Sequence, residues 1–101
     1  MHKLLVLYPE PADRAHFEDY YVSTHLPLTA KLPGLRASRY SLGAAGPGSP
    51  YFAVFEAEFD SKEDLAAAMA SPEGQALAAD MPNYAPPGVV VVDYPVEALV
   101  G

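Results

Sequence analysis

Apolar side chains along the chain recur with two different periods, and the switch between them marks the elements. His2 to Tyr8 is a short apolar run stopped by Pro9 and Pro11, which reads as a strand. Leu5 and Leu7 share one of its faces and Leu4, Val6 and Tyr8 the other, so both faces need cover. Helical spacing follows in Phe17, Tyr20, Tyr21, Thr24 and Leu28, with Asp13 as the capping residue and Arg14, Glu18 and Asp19 on the outer side. Pro27 biases Leu26 away from helical geometry, which predicts the end of the regular helix near His25. Pro33-Gly34 turns the chain into a second strand, Leu35 to Leu42, and residues 43–50 read as a turn rich in Gly, Ala, Pro and Ser.

Tyr51 to Phe59 alternates most cleanly: Tyr51, Ala53, Phe55, Ala57 and Phe59 on one face, Phe52, Val54, Glu56 and Glu58 on the other. Ser61, with Asp64 three residues later, resembles a capping box and opens a helix with Leu65, Ala68 and Met69 inward. Ser71-Pro72 restarts it, and Leu77 and Met81 continue the buried side. Val89 to Pro95 is the last strand, apolar on both faces.

The order β-α-β-β-α-β predicts an α+β, ferredoxin-like domain: a four-stranded antiparallel sheet with both helices on one face, spanning residues 1–101 as a single unit. Two helices cover one face only. Leu4, Val6, Phe52, Val54 and several of Val89 to Val92 are expected to leave the other face apolar, and a second copy packed sheet to sheet is the simplest cover.

Composition narrows the partners. Half the residues are hydrophobic, there is no Cys, and six Lys and Arg against thirteen Asp and Glu leave a net charge of −7. Disulfides, thiolate chemistry and Cys-held metals are excluded. The six cations are scattered, so nucleic acid is not an expected partner. The apolar run at the N-terminus is shorter than a signal core, and no stretch approaches a membrane span; a cytoplasmic protein without a membrane partner is expected.

His2, His16 and His25 lie on different elements without metal-ligand spacing, and no phosphate loop, dinucleotide fingerprint or nucleophile elbow is present. Neither a metal nor a cofactor is expected. The remaining candidate is the end of the first helix, where Tyr20, Tyr21 and His25 reach the space between helix and sheet. A His there can act as general acid or base, and a phenol can hold a developing oxyanion. The structural alternative stands beside it: His25 as a C-terminal cap, and the two tyrosines as core residues. Asp80 and Asn83 read as a cap pair, Tyr84 as a residue at a pocket mouth, and Asp93 as a carboxylate either at a sheet edge in water or, as the preferred reading, paired with Arg36 or Arg39.

Two blocks carry a family resemblance. "FEDYYVSTHLPLTAKLPGL", with its Tyr-x-x-x-His-x-Pro-Leu, and "FDSKEDLAAAMASPEGQALAADMPNY" together resemble the EthD family over nearly the whole chain. The resemblance implies a dimeric α+β barrel. Its name comes from ethyl tert-butyl ether degradation beside a cytochrome P450 system. Fungal relatives look like cofactor-free dehydratases or decarboxylases of aromatic polyketides, and related barrels include cofactor-free monooxygenases and muconolactone isomerase. The family's His falls on His25 and its Tyr on Tyr21. The implied function is binding of a small apolar or aromatic metabolite between helices and sheet, with His25 and Tyr21 as catalytic residues and Phe17, Tyr20, Leu28 and Tyr84 as ligand contacts. A cofactor-independent dehydration, decarboxylation, isomerisation or oxygenation is expected; a non-catalytic binding or accessory protein is the alternative.

Overall fold

A computed structural model describes residues 1–44 and 48–101. Four strands, β1 (His2–Pro9), β2 (Ala37–Ser41), β3 (Tyr51–Phe59) and β4 (Val90–Pro95), form one sheet in the order β2-β3-β1-β4, every neighbour antiparallel. Between β1 and β2 run α1 (Arg14–Tyr20), a π-helical turn (Tyr21–His25) and α2 (Leu26–Thr29). Between β3 and β4 run α3 (Lys62–Ala70), α4 (Pro72–Asp80) and a short 3₁₀ turn (Met81–Asn83). This is the expected ferredoxin-like topology. The turn expected over residues 43–50 lies partly outside the described residues.

Register sorts the sheet faces. Leu4, Val6 and Tyr8 of β1 and Ala53, Phe55, Ala57 and Phe59 of β3 are buried toward the helices. Leu5, Leu7, Val54, Val90 and Val92 occupy the opposite face, beside Lys3, Arg39, Glu56 and Glu58, whose charges pair there. Leu4 and Val6 therefore belong to the helix side, contrary to expectation. Phe52 is a second correction. The register slips between Tyr8 and Pro9, a bulge that puts two successive residues of β3, Phe52 and Ala53, into the core. Phe52 meets Phe17 edge-on, with the Arg14 guanidinium 4.4 Å from its ring centre.

Pro27 does not end the first helix. Backbone angles stay helical from Tyr20 through Ala30, and the Leu26 N–H reaches back five residues to the Tyr21 carbonyl. The widened turn removes the clash that a proline ring makes with the carbonyl four residues earlier, and Pro27 needs no amide partner. The inward positions then recur every four residues, at Phe17, Tyr21, His25 and Thr29, and Thr24 is exposed.

Two glycines are dictated by geometry. Gly34, after Pro33, adopts φ +77°, a left-handed conformation that turns the chain toward β2. Gly74 lies where α3 meets α4: a Cβ there would stand 2.3 Å from the Ala68 carbonyl oxygen and 2.6 Å from Met69 Cα. Ser71 serves both helices at this corner. Its hydroxyl donates to the Ala68 carbonyl and accepts from the Gly74 N–H. Ser61 caps α3 by accepting from the Asp64 N–H, as its spacing suggests.

Candidate functional site

A cavity of about 410 Å³ lies between the helices and the helix-side face of the sheet. Leu4, Val6 and Phe55 floor it, and Leu65, Leu77 and Met81 supply apolar walls. Its size and lining suit a small, mostly apolar molecule. Tyr8, His25 and Thr29, all buried, stand on its lining. The Thr29 hydroxyl donates to the Leu26 carbonyl, so its oxygen lone pairs remain to accept.

His25 reaches the cavity because of the π turn. In the wider turn it falls beneath Tyr21, with the two rings stacked at 5.7 Å and 16°. Nδ1 of His25 lies 2.8 Å from Oδ2 of Asp80, at the end of α4. The other Asp80 oxygen accepts from the Tyr20 hydroxyl at 2.6 Å and from the Asn83 amide at 3.0 Å. Asp80 is thus more than the partner of Asn83: it gathers three donors from two parts of the chain.

The electrostatics of the pair follow from these contacts. Burial holds His25 below the ordinary imidazole pKa, against the opposing pull of Asp80. Burial works the other way on Asp80, but donation by Tyr20, His25 and Asn83 outweighs it and leaves the carboxyl below its ordinary range. At neutral pH the arrangement is a neutral imidazole beside a carboxylate. The only donor such an imidazole can offer Asp80 is Nδ1–H, which leaves the lone pair on Nε2. Nε2 has no protein partner among the described residues.

Behind the cavity wall lies an aromatic cluster. Tyr84 is 4.6 Å from His25, centre to centre, and its hydroxyl is 2.7 Å from that of Tyr8. Tyr84 also donates to Met81 Sδ at 3.0 Å. Phe17 stacks on Tyr21, and Tyr20 on Tyr84. The Tyr21 hydroxyl is buried and, among the described residues, is the one buried side-chain polar atom without a hydrogen bond. Burial raises the pKa of Tyr8, Tyr21 and Tyr84 alike, so all three stay protonated.

The six residues singled out from sequence separate in space. His25 lines the cavity. Tyr21, Phe17 and Tyr84 back its wall, and the Tyr20 hydroxyl is taken up by Asp80. Leu28 instead lines a shallow groove with Lys31, Pro72 and Glu73, because the continued helix carries it to the other side. Tyr8, Thr29 and Asp80 were missed: nothing in a strand's aromatic end or a helix's last carboxylate signals a neighbour more than fifty residues away. Asp93 pairs with neither arginine. Arg36 binds Asp60, Arg39 faces Glu58, and Asp93 Oδ2 lies 2.6 Å from Nε2 of the buried His2. Among the described residues no group of three or more His, Cys, Asp or Glu is placed to hold a metal ion, and no helix is long and apolar enough to cross a membrane.

Comparison with known proteins agrees with this architecture. Residues 9–88 match the EthD domain. An uncharacterised 11.0 kDa protein of the thcB-thcC intergenic region of Rhodococcus erythropolis is 37% identical over 97 residues, 91% of either chain. An ethyl tert-butyl ether degradation (EthD) family protein of Bacillus halodurans superposes with a TM-score of 0.89 at 32% identity, over 96% of this chain and 99% of that one. A dimeric ferredoxin-like protein of unknown function from Bacteroides fragilis gives 0.68 at 21% identity, over 92% and 93%. The cofactor-independent oxygenase SnoaB of Streptomyces nogalater gives 0.68 at 14%, over 97% and 95%. The last two likenesses concern the fold alone. With the domain matched over most of its length and relatives above 30% identity along nearly all of it, the chain belongs to the EthD family.

Proposed function

We propose that the protein binds a small ring ketone in the cavity and moves a proton at the carbon next to the carbonyl. The observation that carries this reading is the His25–Asp80 pair: a neutral imidazole that lines an apolar cavity, fixed at Nδ1 and with Nε2 free of any protein partner among the described residues. Nε2 takes the proton as the C–H bond breaks, and the electron pair moves to the carbonyl oxygen. A phenol is the natural donor to that oxygen, and Tyr8 is the phenol on the lining; its one proton is free for this when the Tyr84 hydroxyl donates to Tyr8 in place of Met81 Sδ. Return of the proton to the same or another carbon completes an exchange or an isomerisation. Loss of a leaving group from the enolate would make the same site a dehydratase.

The test needs no natural substrate. α-Tetralone in D₂O is followed by proton NMR for loss of the signal next to its carbonyl. The wild type is expected to accelerate exchange, and His25→Ala to lower the rate by about 10² or more while binding persists. Saturable binding with no exchange in the wild type would leave a binding protein. No binding at all would remove the ring ketone from consideration.

We also propose that the protein pairs with a second copy through the open sheet face. Leu5, Leu7, Val54, Val90 and Val92 form an apolar area there, of which Val92 is 41% exposed. The Bacteroides fragilis protein of the same fold is dimeric. A monomer by light scattering at micromolar concentration would end this proposal.

A further inference from the structure

The cavity has a second polar region that the proton-transfer site does not use. Asp93 and Lys62 both line it, and both are exposed, whereas Tyr8, His25 and Thr29 are buried. The lining therefore runs from a closed end at His25, across Leu4, Val6 and Phe55, to an exposed margin at Asp93 and Lys62.

Asp93 is built into this margin. It sits on β4 opposite Leu4, on the helix side of the sheet. One carboxylate oxygen is held at 2.6 Å by Nε2 of His2, whose side chain is 93% buried. The other oxygen has no protein partner among the described residues. Asp93 is thus a carboxylate in a valine strand, anchored by a buried histidine and placed on the rim of an apolar cavity.

We infer that this margin is the second recognition point for the ligand, and that it takes a ring hydroxyl. The two charges select the group. A charged group on the ligand would be attracted by one of these side chains and repelled by the other. A hydroxyl suits both neighbours, since it donates to the free Asp93 oxygen and accepts from the Lys62 ammonium. Asp93 stands opposite Leu4, four residues along β1 from Tyr8 at the closed end, so the two polar contacts fall at opposite ends of the ligand. The ligand class is thus a hydroxylated ring ketone, carbonyl inward and hydroxyl outward. This inference rests on the proposed ring-ketone reading and deepens it.

Calorimetric titration of the full chain with two probes tests it. They are α-tetralone and 6-hydroxy-α-tetralone, which carries its hydroxyl at the far end of the second ring. The hydroxylated probe is expected to bind the wild type about tenfold more tightly, the usual scale for one hydrogen bond to a charged group. Asp93→Val should bring it level with α-tetralone and leave α-tetralone unchanged. Asp93→Asn, which keeps the shape and removes the charge, should lose at least about threefold for the hydroxylated probe alone, and serves if the valine variant fails to fold. Equal affinity of the two probes for the wild type would overturn the inference while leaving the ring-ketone reading intact. So would an equal loss for both probes in the folded variants. Failure of the wild type to bind either probe would overturn both readings together.

Discussion

Asp80 stands 55 residues beyond His25, yet its carboxylate lies 2.8 Å from the imidazole Nδ1. The contact joins the end of α4 to the π turn and ties the two helical segments together at the cavity. Asp80→Asn removes the charge that raises the His25 pKa, so that pKa, already depressed by burial, should fall further. The asparagine can also present its amide to Nδ1 and favour the tautomer that carries the proton on Nε2. Exchange of α-tetralone should drop on the order of 10²-fold while its affinity changes little. An NMR titration of the His25 ring checks the first part. An unchanged or raised midpoint would mean that the pair is not coupled in this way.

Acid should destabilise the protein in two successive steps. His25 has a folded pKa below its unfolded value, so below about pH 6.5 the unfolded chain binds the extra proton first. Stability is therefore full above that pH and falls as pH drops toward the folded pKa. Asp80 is also depressed; its contribution is present above about pH 4 and is lost as pH falls through the still lower folded value. Thermal melts between pH 8 and pH 3 should show a first decline that His25→Gln removes and a second that it leaves. A wild-type melting temperature that stays flat from pH 7 to pH 5 would contradict the first step.

Gly74→Ala should destabilise the fold even though alanine is the better helix former. The propensity gain is about 1 kcal/mol at most. Against it stands a Cβ at 2.3 Å from the Ala68 oxygen and 2.6 Å from Met69 Cα, backbone atoms that move only if the α3–α4 corner opens. Overpacking of this kind costs about 1–3 kcal/mol, so the net change should be unfavourable. Urea denaturation measures it, and equal or greater stability of the variant would show that the corner yields freely.

Much of the architecture was legible because it depends on local pattern. The alternation in Tyr51–Phe59 bounds β3 as observed, and Ser61 and Ser71 announce the starts of α3 and α4. His25 stood out as a titrating residue beside the predicted inward stripe, at the helix end. What was not legible depends on a single inserted residue or on distant partners. The bulge at Tyr8/Pro9 turns Phe52 inward without any change in its own strand pattern. The π turn lets the helix run through Pro27 and moves the inward face from Thr24 to His25 and Thr29. Partners such as His25 with Asp80, or His2 with Asp93, are brought together only when the strands and helices pack.

Val92→Lys should turn a dimer into a monomer without unfolding it. Val92 lies on the open face of β4, opposite Leu5, and is 41% exposed, so a lysine there costs the isolated domain little. At a two-fold interface the same change places an ammonium group of each copy against an apolar surface. Light scattering should report half the wild-type mass with an unaltered circular dichroism spectrum. An unchanged mass would move any dimer contact away from this face.

Tyr8→Phe and Tyr21→Phe should separate the two phenols. The Tyr21 ring is fully buried, stacks on Phe17 and His25, and leaves its hydroxyl without a hydrogen bond. Removing an unpaired buried hydroxyl while keeping the ring relieves a desolvation cost, so Tyr21→Phe should be neutral or stabilising by up to about 1 kcal/mol, with exchange of α-tetralone unaffected. Tyr8 lines the cavity and shares a hydrogen bond with Tyr84 at 2.7 Å. Its loss removes the proposed donor to the enolate oxygen and leaves the Tyr84 hydroxyl with Met81 Sδ as its one remaining partner among the described residues. Exchange should fall by about 10² or more, and stability by about 1 kcal/mol. The reverse outcome, a silent Tyr8→Phe and an inactive Tyr21→Phe, would transfer the oxygen-holding role to Tyr21. It would also require the wall between that hydroxyl and the cavity to open when the ligand binds.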